Sequence, residues 1–200
     1  MKLIIASRNI HKIREMRSML KEKGSWDLYS LIDFPDYHPP EETGTTFEEN
    51  AILKAIHAAK ELDDWVLADD SGLVIPALQG APGVFSARYA GSASTDKENR
   101  TKLLQEMQSL KDEERAGYFA CAIALASPNG LENCVTARCE GTITEEERGG
   151  QGFGYDPLFK RNDYNKTFAE LEEEIKNRIS HRRKALDKML IHLESRALSH

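Results

Sequence analysis

The sequence predicts an α/β fold built on a mixed β-sheet. Three observations lead there. Apolar strand-like runs alternate along the chain with stripes at helical spacing. Two of the helical stretches open on capping boxes. Asn129-Gly130 sits between two apolar runs as a hairpin signal, which brings an antiparallel pair into the sheet.

Leu3–Ala6 is a short apolar run and reads as a buried strand. Ile13, Met16, Met19 and Leu20 recur at helical spacing and predict a helix from about Ile10 to Lys23. Trp26–Leu31 reads as a second strand. Phe34–Gly44 carries Pro35, Pro39 and Pro40 and reads as a loop. Thr46-Phe47-Glu48-Glu49 fits a capping box opening an Ala-rich helix that runs to about Leu62. Trp65–Ala68 is a strand that ends in Asp69-Asp70-Ser71-Gly72, with extended structure resuming at Leu73–Ile75. Gly80, Pro82, Gly83 and Gly91 mark a long irregular stretch. Thr95-Asp96-Lys97-Glu98 fits a second capping box, followed by the stripe Leu103, Leu104, Met107 and Leu110. Tyr118–Ala126 and Cys134–Gly141 flank the Asn-Gly turn, expected to supply two left-handed positions. Gly149–Gly154 is a glycine-rich loop. Ile179, Leu186, Met189, Leu190 and Leu193 predict a last helix, with Ser180 as its N-cap.

Composition narrows the function classes. A chain of 200 residues reads as one domain, with no linker and no internal repeat. Hydrophobic content of 40% with 30% charged is a soluble globular balance. The longest apolar run, Tyr118–Ala126, is far short of the roughly 20 residues of a membrane helix. No signal-peptide core follows Met1, so a cytoplasmic protein is expected. Net charge is −6, from 27 basic and 33 acidic residues, which argues against a nucleic-acid partner. Cys121, Cys134 and Cys139 have neither zinc-knuckle nor C-x-x-C spacing and read as reduced core or strand residues.

Four segments carry candidate chemistry. Ser7-Arg8-Asn9-Ile10-His11-Lys12 lies between a strand and a helix, where unpaired N–H groups and a partial positive charge suit phosphate. A cap at Ser7 or Asn9 with a solvated Lys12 accounts for the same residues. Asp69-Asp70-Ser71-Gly72 places two repelling carboxylates side by side, a penalty that magnesium would remove, and Glu41-Glu42-Thr43-Gly44 is a second acidic turn. Plain turn chemistry is the alternative. Gly149 to Pro157 offers glycines for close backbone approach and flat faces at Phe153 and Tyr155 for a base to stack on. The alternative there is a flexible loop anchored by its aromatics. Ser180-His181-Arg182-Arg183-Lys184 crowds cations into a helix's first turn, against the dipole. An anionic or carbonyl-bearing ligand would reconcile that cluster, and so would a solvated basic face.

Together these segments resemble the inosine triphosphate pyrophosphatase family, the non-standard purine nucleoside triphosphate pyrophosphatases, most closely its bacterial branch. The resemblance runs over nearly the whole chain in order. It rests on Ser7-Arg8-Asn9-Ile10-His11-Lys12 with Glu15 following, Glu42 to Ala55 including Asn50 and Lys54, and Asp69 to Leu73. Gly80 to Tyr89, Gly152 to Pro157 and Ser180-His181-Arg182 complete the set. The resemblance implies an elongated α/β fold of two lobes around a central cleft, and a homodimer. It implies hydrolysis of ITP, dITP and XTP to the monophosphate and pyrophosphate with Mg2+. Residue by residue, it implies substrate contacts at Ser7, Asn9 and Lys12, with Arg8, Ile10 and His11 contributing backbone only. It implies further substrate contacts at Lys54, Ser71, Phe153, Gly154, Tyr155, Asp156, Lys176, His181 and Arg182. Glu42 and Asp70 would hold magnesium with Asp69 nearby, and Asp70 corresponds to the proton acceptor. Arg182 and His181 are expected to donate to a 6-oxo base. Competing readings are a related pyrophosphatase acting on other modified nucleotides, a non-catalytic nucleotide sensor and a nucleic-acid binder.

Overall fold

The computed structural model describes residues 2–197. Its strands and helices alternate in chain order. They are β1 (Lys2–Ile5), α1 (Ile10–Lys21), β2 (Asp27–Ser30), α2 (Phe47–Leu62), β3 (Val66–Val74) and α3 (Asp96–Glu106). There follow β4 (Ala116–Ser127), β5 (Gly130–Ile143), β6 (Phe159–Arg161), α4 (Glu173–Ile179) and α5 (His181–Ala197). The six strands form one sheet in the order β2-β1-β3-β4-β5-β6. β1 runs parallel to β2 and to β3, whereas β5 and β6 are antiparallel, so the sheet is mixed as expected.

The chain divides into two compact units. The first comprises Met1–Asp70, Cys121–Ala137 and Arg182–His200, the second Ser71–Ala120 and Arg138–His181. In the first unit, strand alternation sorts side chains onto two faces. Leu3, Ile5, Leu67, Cys121, Ile123 and Leu125 pack with apolar residues of α1 and α5. Their neighbours Ile4, Ala6, Val66, Ala68, Ala122, Ala124 and Ala126 share a second cluster with Ala51, Ala55, Ala58 and Ala59 of α2. Alanine meets alanine on that face, so α2 approaches the sheet closely. α2 starts where the sequence places it. Glu49 N donates to Thr46 Oγ1 at 3.1 Å, and Thr46 N donates to Glu49 Oε2 at 3.2 Å, closing the capping box.

The second unit has its own core. Leu73, Ile75, Leu103, Met107, Phe119, Tyr155, Phe159 and Phe168 are buried together. Phe119 lies 4.6 Å from Phe159 between ring centroids and is stacked at 6.0 Å on Phe168. The second capping box also forms, with Glu98 N donating to Thr95 Oγ1 at 3.3 Å and Thr95 N donating to Glu98 Oε2 at 2.7 Å.

Four local expectations need correction. β3 does not end at Ala68; it runs unbroken from Val66 to Val74, straight through the acidic pair. In the hairpin, Pro128 and Asn129 form the turn and only Gly130 has a positive φ, 129°. Proline fixes φ near −65°, so the turn cannot hold two left-handed residues once it begins at Pro128. Ile179 ends a separate helix, α4, instead of belonging to the last one, while Ser180, in extended backbone (φ −73°, ψ 163°), directly precedes α5 at the expected N-cap position. α3 stops at Glu106, which leaves Leu110 beyond its end. The short β6 and the one-turn-plus α4 were not anticipated, since three and seven residues carry too little periodicity to read.

The alanine face gives a direct test. Ala55 is 0% exposed, so Ala55→Leu should overpack the α2 contact and cost about 1–3 kcal/mol in denaturant unfolding. An unchanged midpoint would show that α2 does not approach the sheet as described.

Candidate active site

The first unit gathers most of the expected residues around β3. Asp69 and Asp70 are adjacent on the strand, so their side chains leave opposite faces. Asp69 takes the α1 and α5 side. Its Oδ2 lies 3.1 Å from Lys12 Nζ, and accepts from Arg182 Nε and Nη2 at 3.3 and 3.2 Å. Arg182 Nη1 donates to Glu15 of α1. Burial alone would push the Asp69 carboxyl up. Lys12 and Arg182 outweigh it and hold Asp69 well below the usual carboxylate range.

Asp70 takes the α2 side. Asn50 Nδ2 donates to Asp70 Oδ2 at 3.2 Å, and Lys54 Nζ meets Asp70 Oδ1 at 3.1 Å. Lys54 also reaches Glu42 Oε1 at 2.9 Å, so one ammonium serves both carboxylates. Here burial wins, and the Asp70 carboxyl is raised despite Lys54 and Lys12. The strand thus carries two neighbouring acids with opposite proton preferences. That is the arrangement in which one acid stays charged and the other can accept a proton.

The Ser7–Lys12 segment opens α1. Asn9 is the N-cap, its Oδ1 accepting from the backbone N of His11 at 3.0 Å and of Lys12 at 3.2 Å. Ser7 Oγ accepts from Asn9 N at 3.1 Å. Both oxygens therefore face backbone, which leaves the Ser7 hydroxyl proton and the Asn9 amide hydrogens as donors. Arg8 turns away, donating to Tyr37 O at 2.6 Å. Ile10 and His11 are exposed.

The second unit holds the remaining residues. Asp156 Oδ2 accepts from Phe153 N at 2.9 Å and from Lys176 Nζ, whose ammonium lies 4.6 Å from the Phe153 ring centroid. Two glycines shape this loop. At Gly152 (φ 76°) a Cβ would fall 2.1 Å from Asp156 Oδ2, and at Gly149 (φ 81°) 2.2 Å from Ala169 O. Gly154 N donates to Asp96 Oδ2 at 2.7 Å. His181 stacks on Phe119 at 4.7 Å with 16° between the planes. Ser71 is half-buried.

Two assigned residues sit differently from the sequence reading. Tyr155 offers no face to a base: its ring is in the core and its hydroxyl donates to Ser86 O at 2.9 Å. Apolar burial with a satisfied hydroxyl is what a tyrosine anchor does. Arg182 is 1% exposed, with its guanidinium on Asp69 and Glu15 rather than presented as a base donor. Arg182 is thereby balanced by buried acids from α1 and β3, whereas Arg183 pairs with Glu22 and Asp187. Sequence reading gave no role to Asn50 or Glu15. The available signal was a polar residue at a core position of each helix: Asn50 is 0% exposed among the alanines of α2, and Glu15 lies between Ile13 and Met16. Cys121 is 1% exposed, and burial pushes its thiol up to about 12, away from the thiolate form a nucleophile needs.

The Asp69 ion pairs predict a stability signature. Asp69→Asn leaves Arg182 and Lys12 without their shared anion and should cost about 3–5 kcal/mol at neutral pH. The folded-state pKa of Asp69 is depressed, so its contribution is present above the unfolded carboxyl value near 3.9 and is lost as pH falls below it. Denaturant titrations should therefore show the gap between wild type and variant narrowing below about pH 4. A gap that is constant with pH would contradict the pairing.

With this geometry in hand, the chain can be compared with known proteins. A model of the Ham1 family matches residues 3–192. The dITP/XTP pyrophosphatase of Protochlamydia amoebophila is 55% identical over 196 residues, covering 98% of both chains. That of Chlamydia trachomatis serovar D is 51% identical over 201 residues, covering 100% of this chain and 96% of the relative. Among solved structures, a HAM1 protein from Coxiella burnetii matches with a TM-score of 0.87 and 42% identity, over 98% of this chain and 99% of that one. The Staphylococcus aureus Ham1 protein matches with a TM-score of 0.85 and 39% identity, over 98% and 100%. A full-length family match, relatives above 50% identity and a shared fold lead to one conclusion: the chain belongs to the Ham1 family.

Proposed function

We propose that this protein is a nucleoside triphosphate pyrophosphohydrolase: it converts ITP, dITP and XTP to the monophosphate and pyrophosphate and so clears non-standard purines from the nucleotide pool. The observation that carries this reading is the meeting of Glu42 and Asp70 on one ammonium, Lys54, next to a carboxylate paired with Lys12. The relatives compared above are named dITP/XTP pyrophosphatases. We take residues 1–200 as one such domain, acting in the cytoplasm. Among the described residues, no helix is long and apolar enough to cross a membrane.

Glu42 and Asp70 would hold magnesium. No group of three or more His, Cys, Asp or Glu side chains that could hold a metal ion occurs among the described residues. Two carboxylates suffice, because magnesium keeps several waters and draws its other oxygens from substrate phosphates. Lys54 Nζ lies 2.9 Å from Glu42 Oε1 and 3.1 Å from Asp70 Oδ1, which supports a cation shared by the two carboxylates. When bound, the ion supplies charge neutralisation on the phosphates.

The protein's own groups do the rest. Ser7 and Asn9 donate to phosphate oxygens, and Lys12 adds a full positive charge one turn into α1. Asp70, a carboxylate whose pKa burial raises, accepts the proton of the attacking water. The water oxygen bonds to the α-phosphorus, the bond to the bridging oxygen breaks, and pyrophosphate departs with the electron pair. In the second unit, the family resemblance assigns Phe153 as the aromatic face and Lys176 and His181 as donors to the base. A 6-oxo purine accepts from such donors, whereas adenine sets its 6-amino donor against them. Ser71, Gly154 and Asp156 complete the substrate contacts, and Tyr155 serves by anchoring the loop.

Pyrophosphate release measured across eight nucleoside triphosphates tests the reading. Inosine and xanthosine triphosphates should outpace adenosine triphosphate by about 10²-fold or more. Equal rates, or a pyrimidine nucleotide in front, would overturn it. In the same assay Asp70→Asn should lower kcat about 10²–10⁴-fold while keeping the fold. Excess chelator should abolish turnover, and full activity without a divalent ion would remove the metal role of Glu42 and Asp70.

We also propose a homodimer, following the family resemblance. Phe85 is 57% exposed beside Arg88, whose guanidinium carbon lies 5.3 Å from the Phe85 ring centroid, and offers an apolar surface for a second copy. Light scattering at micromolar concentration should give twice 22.5 kDa, and a mass near 22.5 kDa would contradict the dimer.

A further inference from the structure

Glu15 lies on α1, is 5% exposed and takes no part in the substrate or metal contacts assigned above. It accepts from Arg182 Nη1, while the Nε and Nη2 edge of the same guanidinium donates to Asp69 Oδ2 at 3.3 and 3.2 Å. Asp69 Oδ2 in turn lies 3.1 Å from Lys12 Nζ. Four charges of alternating sign therefore form a ladder, Glu15–Arg182–Asp69–Lys12, whose first three members are buried and which ends on the half-buried lysine assigned to phosphate. A guanidinium is planar, and its donors are fixed in a fork. Holding one end of it at Glu15 sets the direction in which the other edge meets Asp69. An ammonium paired to Asp69 inherits that placement. Deep burial keeps the geometry rigid: Arg182 is 1% and Asp69 3% exposed.

We propose that Glu15 is a positioning residue for the pyrophosphatase reaction. It orients Arg182, which fixes Asp69, which places Lys12. The proposal rests on the activity assigned above, and Glu15 itself touches neither substrate nor metal.

The test is steady-state hydrolysis of inosine triphosphate with magnesium, normalised to folded protein and run well below the melting temperature. Glu15→Gln keeps the shape and an acceptor but loses the charge that holds the guanidinium. Its kcat should fall about 10–100-fold, the scale of an ångström-sized misplacement of a catalytic group. In an Arg182→Gln background, where the ladder is already cut, adding Glu15→Gln should change kcat by less than about twofold, because residues acting through one another are not additive. A residue that only supports the fold would lower the melting temperature and leave the kcat of folded protein alone. If Glu15→Gln does not fold, Glu15→Asp keeps the charge and withdraws it by one methylene, and should show the same loss of kcat. The proposal is overturned by a folded variant with wild-type kcat, or by penalties that multiply in the double variant. Wild-type protein that releases no pyrophosphate from inosine triphosphate would instead defeat the functional reading.

Discussion

The site in the first unit depends on one buried charge, the Asp69 carboxylate. A carboxylate at 3% exposure cannot stay ionised by itself, since desolvation costs several kcal/mol. Lys12 and Arg182 keep it charged, and in doing so they connect α1, β3 and α5 through side chains far apart in sequence. The strand can then run through the acidic pair without a break. Continuity has a geometric result: the next residue, Asp70, must leave the opposite face. There it finds Asn50 and Lys54 of α2 instead of a second guanidinium.

Two identical side chains at adjacent positions are thus given different chemistry by what surrounds them. Asp69 is held ionised by cations, and Asp70 is raised by burial that Lys54 only partly offsets. A single acid could not be both a fixed counter-ion for Lys12 and a proton acceptor. The loop of the second unit follows a related logic. Gly152 leaves room for the Asp156 carboxylate against its own backbone, and that carboxylate fixes the Phe153 N–H and the Lys176 ammonium. In both units a buried carboxylate positions a lysine.

Much of this was legible in the sequence. The capping boxes at Thr46 and Thr95 are local, because donor and acceptor lie three residues apart, and both form. Unbroken apolar runs mark β1 and β4, and the ordered motifs mark the family. What stayed hidden depends on partners distant in the chain. Asp69-Asp70-Ser71-Gly72 resembles a turn by local chemistry, and the partners that offset its two charges within the strand, residues 12, 54 and 182, lie far away in the chain. Arg182 looked like an exposed donor in a basic first turn, but its partners come from α1 and β3. Tyr155 looked like a stacking face beside Phe153. Whether an aromatic faces ligand or core is decided by tertiary packing, and a hydroxyl reaching Ser86 puts this one in the core.

The ladder of buried charges also shows what does not hold the fold together. Replacing a buried ion network with well-packed apolar side chains is often neutral or stabilising. Leu3, Met16, Leu67, Ile123, Leu186 and Met189 already supply an apolar core on the same face of the sheet. Each fully buried aliphatic of this kind contributes roughly 1.5–3 kcal/mol. Stability alone gives no reason to bury Glu15, Asp69 and Arg182 there. An apolar set at 15, 69 and 182 together would pack as well and avoid the desolvation cost. It would not supply a planar donor fork or a fixed counter-charge at a set distance from Lys12. The polar interior is therefore best understood as geometry for the reaction, set within a fold that its aliphatic and alanine faces stabilise.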